Sequence, residues 1–165
     1  MGGYMKKLIF LVIFACGACA NREYQFSTNL DTSQKKAYEV LIDFGNYKHW
    51  NSLIPEAEGH LGLNELIHLK LKFYEDEDPD TFEPVVTEIH PPKHFILSKG
   101  LGFSWLGLVS HSFELLPLQD GQIKFTQKWL GSGLLIAFIW PKLSENFDKF
   151  KRINHDLSLY LKKKA

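Results

Sequence analysis

The sequence predicts an α+β fold: a curved antiparallel sheet of about six or seven strands wrapped around one long C-terminal helix, with two short helices after the first strand. Three observations carry this. The first is element order: a strand, two helical stretches, a run of strand-like segments, then a helix. A run of strands joined by short turns forms an antiparallel meander, and such a sheet must bury one face. The second is the C-terminal stripe of apolar positions 143, 147, 150, 153, 157 and 160/161, which is helical spacing and offers the sheet its one large apolar partner. The third is composition. The chain has 165 residues, 45% hydrophobic, 23% charged and 14% aromatic, which suits one core, leaves little room for two and argues against disorder. A curved sheet gripping one helix leaves a cavity between them.

Residues 1–20 read as a secretory leader, and residues 21–165 as the single domain. Lys6 and Lys7 form a positive start, residues 8–15 are an unbroken apolar run, and the small residues Gly17, Ala18 and Ala20 follow. The apolar run is shorter than the roughly 20 residues a membrane-spanning helix needs. Two processing routes are open. Ala18-Cys19-Ala20 fits an A-x-A cleavage site, and Cys19 is also a lipidation candidate, although Cys16 stands where a lipoprotein signal usually has Leu. An exported protein, periplasmic or membrane-anchored, is expected either way. Both cysteines lie in the leader, so packing alone must hold the domain together. The whole chain has 19 basic and 19 acidic residues; with Lys6 and Lys7 removed the domain carries a net charge of −2. No basic excess points to nucleic acid, and export disfavours ATP- or nicotinamide-dependent chemistry.

Residues 24–30 alternate as a strand, and Asp31-Thr32-Ser33 opens a helix over 33–43 with Ala37, Val40 and Leu41 on one face. Gly45 ends it, and 46–53 form a second short helix or turn. Short strand 56–60 precedes 66–74, where Ile67, Leu69, Leu71 and Phe73 alternate with His68, Lys70 and Lys72. Strands 81–90 and 95–99 are separated by Pro91-Pro92. Residues 100–107 form a Gly- and aromatic-rich loop. Strands 108–116 and 122–130 make a hairpin across Gln119-Asp120-Gly121. Gly131-Ser132-Gly133 reads as a hinge. Residues 134–140 are apolar all round, with core as the default and cavity plug, ligand contact or membrane contact as alternatives. Pro141 interrupts or restarts the helix, which then runs over 142–162.

Several stretches together resemble the START-like, or SRPBCC, superfamily of helix-grip proteins, which includes birch-pollen-allergen-like and polyketide cyclase/dehydrase-like members. Residues 31–50 match its first helix and the F-x-x-Y-x-x-W-N that follows. FEPVVTEIHPPKHF (82–95) is similar to its strand-Pro-strand element, LVSHSFELLPLQDG (108–121) to its hairpin, and QKWLGSGL (127–134) to the entry to its last helix. Gln127 departs from the pattern, since relatives often carry Glu there, and this puts an acid/base role at that position in doubt. The resemblance implies a hydrophobic ligand pocket and no cofactor. It does not imply one function.

The residues supply candidates for that pocket. Val109, His111, Phe113 and Leu115 share one face of their strand, and Ile123, Phe125, Gln127 and Trp129 one face of its partner. His111 and Gln127 are then the polar members of an apolar wall, either ligand contacts or structural, with His111 satisfied by a backbone carbonyl or by Gln127 itself. Trp50, Phe103, Trp105 and Trp129 are candidates for the pocket or its mouth, with core packing as the alternative, and Phe103-Ser104-Trp105 for a mobile gate or a loop that packs down permanently. The candidate ligand-binding set is therefore Trp50, Phe103, Trp105, His111, Phe113, Phe125, Gln127 and Trp129. Acidic residues 75–80 lack the pattern of a calcium loop. The seven histidines show no HExxH or paired spacing, so no metal is assigned. The expected partner is a small hydrophobic molecule such as a lipid, fatty acid, isoprenoid or aromatic, bound by a monomer; contact with an envelope membrane stays open. Two other readings stand beside this carrier: a cyclase/dehydratase-type enzyme with His111 as base, and an interaction module whose cavity is filled by its own aromatics.

Overall fold

The computed structural model describes residues 21–164 apart from Ser104; the leader expected at residues 1–20, with Cys19, lies outside the described residues. Strand β1 (Arg22–Leu30) alternates outward residues with Tyr24, Phe26 and Leu30. Helix α1 (Gln34–Ile42) follows, its N-terminus capped by Ser33 Oγ accepting the Lys36 N–H at 3.2 Å. It buries Ala37, Tyr38 and Leu41, with Tyr38 edge-on to Phe95. The second short helix is a 3-10 helix, Phe44–His49, burying Phe44 and Tyr47. Asn51 Oδ1 then accepts the N–H groups of Leu53 and Ile54 and turns the chain.

The strand run divides into two sheets. Strands β5 (Val85–His90), β6 (His94–Gly100), β7 (Leu108–Pro117) and β8 (Ile123–Ser132) form the expected antiparallel meander, and β1 adds beside β8, giving the order β1-β8-β7-β6-β5. Strands β2 (Glu56–Glu58), β3 (His68–Leu71) and β4 (Asp80–Phe82) form a separate three-stranded sheet. The described residues thus hold eight strands, where one sheet of six or seven is expected. Pro84 explains the split of 81–90 into β4 and β5: it has no N–H to give a ladder, and its carbonyl accepts from Ile67 N instead. The expected strand 66–74 keeps a ladder only over β3, because its ends bond elsewhere. Leu66 bridges Val85, and Lys72 N donates to Leu53 O. The Leu66 bridge joins this segment to β5, the edge strand of the large sheet.

The expected helix over 142–162 is three pieces: α2 (Ile136–Ser144), a 3-10 turn (Phe147–Phe150) and α3 (Lys151–Lys163). Pro141 lies inside α2; the break falls after Ser144. The 3-10 turn stacks positions i and i+3 on one side, so Phe147 and Phe150 both point inward and both are buried. Helix α3 lays Ile153, Asn154, Leu157 and Leu161 on the core. Arg152 ties it down, donating to Lys72 O, Ser52 O and Ser52 Oγ. The apolar stretch 134–140 is not uniformly core. Ile136 is buried and Trp140 packs on Phe147, while Leu135 and Phe138 face solvent.

Gly131 and Gly133 are tight rather than hinge-like. A Cβ on Gly131 would lie 2.5 Å from the Trp140 ring, and one on Gly133 (φ +107°) 2.8 Å from the Gly107 backbone. No helix of the described residues is long and apolar enough to cross a membrane.

Candidate functional site: a cavity between sheet and helices

Alternation and register build the wall. On β7 and β8 the inward cross-strand pairs are His111 with Trp129, Phe113 with Gln127, and Leu115 with Phe125. Opposite them stand Phe147 and Phe150. Between lies a cavity of about 390 Å³, closed on its other sides by Phe44, Tyr47 and Ile54 from the 3-10 helix and the turn after it, and by Leu69, Leu71 and Phe73 from the small sheet. That volume falls in the range of small-molecule sites.

The wall is apolar and aromatic, and its charged members stand at the rim. Asp80 and Lys142 are exposed, and Lys142 pairs with Glu145 at 3.3 Å. Lys99 is half-buried, with its Nζ donating to Glu83 O. Tyr47 keeps its proton: burial, reinforced by the Asp43 charge, pushes its phenol well above the usual range, and its OH donates to Leu41 O at 2.6 Å.

His111 is the imidazole in the wall. Its ring stacks on Trp129 at 3.9 Å between centroids, tilts against Phe113 at 4.1 Å and meets the edge of Phe150 at 5.4 Å. Its Nε2–H donates to Gln127 Oε1 at 2.9 Å. The direction of that bond follows from the other end of Gln127, whose NH₂ donates to Phe150 O at 3.2 Å and to Asn154 Oδ1. With both amide hydrogens committed to acceptors on the C-terminal segment, only the amide oxygen is left to face the imidazole. Burial holds the His111 imidazole down to about 3, and the Gln127 bond offsets this only in part. His111 is therefore neutral at pH 7. The ring itself lines the cavity, and the Nε2–Gln127 bond is its side-chain hydrogen bond among the described residues. The relay also accounts for Gln127: a glutamate there would set a carboxylate against the Phe150 carbonyl, which needs a donor.

Of the residues read from the sequence, the structure brings His111, Phe113 and Trp129 to the cavity wall. Gln127 and Phe125 are fully buried behind it, Gln127 holding His111 and Phe125 packing on Phe113 at 6.3 Å. Trp50 is in the core between Tyr47 and Tyr160, away from the mouth. Phe103 and Trp105 are 71% and 60% exposed and stack on each other outside the cavity. The loop they belong to, whose Ser104 lies outside the described residues, is tied down where a gate would swing. Leu134 N donates to Trp105 O, and Leu135 N to Leu106 O. Sequence reasoning missed the wall contributed by the 3-10 helix and the small sheet, and it missed Asn154. A polar residue inside the apolar stripe of α3 was the available signal for the latter.

No family model matches the chain, and no curated protein matches it. Solved structures do. Norcoclaurine synthase from Thalictrum flavum, in complex with dopamine and hydroxybenzaldehyde, matches at a TM-score of 0.66 with 8% identity, over 93% of this chain and 93% of that one. The di-domain ARO/CYC StfQ from the steffimycin biosynthetic pathway matches at 0.65 with 10% identity, over 98% of this chain and 59% of that one. A START superfamily protein from Mycobacterium smegmatis matches at 0.54 with 13% identity, over 80% of this chain and 95% of that one. At such low identity the likeness speaks for architecture, and with the curved sheet, the C-terminal helix and the cavity between them it shows that this chain has the START-like, SRPBCC helix-grip fold.

Proposed function

We propose that the chain binds and carries a small hydrophobic molecule in this cavity, as an exported protein of the cell envelope, and does not turn it over. The observation that carries the reading is the apolar cavity between sheet and helices, with its one imidazole tied to Gln127. A general base works best with a pKa near the operating pH. An imidazole held down to about 3 by burial, with its Nε2–H spent on Gln127, is a weak base for proton abstraction. A cavity of about 390 Å³ supports ligand binding over an interaction module with a filled core. The charged rim of Lys99, Lys142 and Asp80 around an apolar interior suits an amphiphile, its apolar part inside and its polar end at the mouth. Burying about 300 Å² of apolar ligand surface at about 25 cal/mol per Å² gives roughly 7 kcal/mol before costs, which caps affinity near micromolar. The leader at residues 1–20 supports export, with Cys19 as the acylation candidate.

Displacement of an environment-sensitive naphthalene-sulfonate dye by a series of fatty acids, isoprenoids and polycyclic aromatics tests this. Binding by the parent and its loss in Val109→Trp, which fills the cavity from β7, is the expected result. Equal binding by both variants would place the ligand elsewhere and overturn the reading.

A further inference from the structure

We propose that the tip of the β5–β6 hairpin is a binding site for a divalent transition-metal ion of the zinc class, held by Glu88, His90 and His94. The site lies apart from the cavity. β6 reaches the cavity wall through Leu97 and Lys99, near its far end, whereas His94 is its first residue.

Backbone register makes the cluster. His90 pairs directly with His94 across the hairpin, and Glu88 lies two residues before His90, so all three side chains share the outer face. The register shift between Val86 and Glu88 sets this parity, leaving Thr87 without a cross-strand partner and turning Ile89 and Phe95 inward. One ligand atom from each of the three residues lies within 4.8 Å of the others. Glu88 Oε1 is 3.2 Å from His90 Nε2 and 2.7 Å from His94 Nε2, and the two rings are 4.6 Å apart. Two ligands bound tetrahedrally at about 2.1 Å each lie about 3.4 Å apart. The first edge therefore already has the required length, and the second opens by less than an ångström when the metal replaces the hydrogen bond. Glu114, the cross-strand partner of His94 on β7, adds negative charge on the same face. Imidazole and carboxylate donors suit zinc, and three protein ligands leave a fourth position open to water.

The test is calorimetric titration of the full chain with Zn²⁺ against a competing chelator, with Co²⁺ substitution as a spectroscopic reading of coordination. The expected result is one ion per chain, with Glu88→Gln, His90→Ala and His94→Ala each weakening binding by about tenfold or more. His60→Ala, an exposed histidine outside the cluster, leaves binding unchanged. His90 is solvent-exposed, so its variant folds and decides the matter even if replacing half-buried His94 disturbs the hairpin. Absence of Zn²⁺ binding, or binding that survives His90→Ala, overturns the proposal.

Discussion

Histidine serves opposite ends in two regions of this molecule. His111 is enclosed by Trp129, Phe113 and Phe150, with one nitrogen held by an amide that is itself anchored to the C-terminal segment. His90 and His94 stand on the outer face of a hairpin tip and share one carboxylate. The ring and its two nitrogens are the same. Burial turns the first into a neutral piece of aromatic wall. A carboxylate in water makes the second pair a cluster for cations. The surroundings, rather than the residue type, assign the chemistry.

The largest way to break the contrast is at Gln127. Gln127→Leu leaves the His111 N–H, Phe150 O and Asn154 Oδ1 without their partner, and denaturant unfolding should show a loss of about 3 kcal/mol or more. A near-neutral result would mean that the relay does not hold the buried histidine. The pH dependence of stability comes next. The folded pKa of about 3 lies below the ordinary unfolded value, so protons favour the unfolded chain. The His111 contribution is complete above about pH 6.5 and is lost as pH falls toward 3, by at most about 1.4 kcal/mol per pH unit. His111→Phe should flatten that part of the profile. An unchanged slope would show that His111 is not neutral because of burial.

Gln127→Glu sharpens the contrast by importing the surface chemistry into the core. A carboxylate at that position should raise the His111 pKa, followed as the imidazole proton shift in an NMR titration, and so bring the residue nearer to a working base. A pKa left near 3 would mean that desolvation overwhelms an adjacent charge. The smallest effect belongs to the hairpin tip. Glu88→Gln, in the absence of metal, should move thermal stability by no more than about 0.5 kcal/mol, as an exposed substitution does. A larger loss would make the cluster part of the fold's support.

Period-two alternation made the inner faces of β7 and β8 readable, because one face of each strand is buried and a slip by one residue would invert it. His111 and Gln127 are therefore recognisable from alternation alone as the polar residues of those faces. Which atoms they share is not, since that depends on Phe150 and Asn154 reaching them from the far end of the chain. The apolar stripe located the C-terminal segment but hid its break, because a 3-10 turn and an α-helix both put residues 147 and 150 on one side. Phe103 and Trp105 read as pocket residues on their aromaticity, and local sequence does not say which side of a loop faces out. Gly131 and Gly133 look like flexible residues in sequence, yet they are needed because Trp140 and the Gly107 backbone come too close for a Cβ. The Glu88-His90-His94 cluster escaped because its spacing gains meaning only from the hairpin register and the shift at Thr87.

The central claim is that the cavity carries a ligand. Its most direct test is native mass spectrometry of the protein expressed from its full sequence, followed by denaturing extraction. The account predicts a discrete apolar molecule that leaves on denaturation and is absent from Val109→Trp. A clean ligand-free mass for the parent, together with failure to take up any of the lipids or aromatics offered, would contradict it.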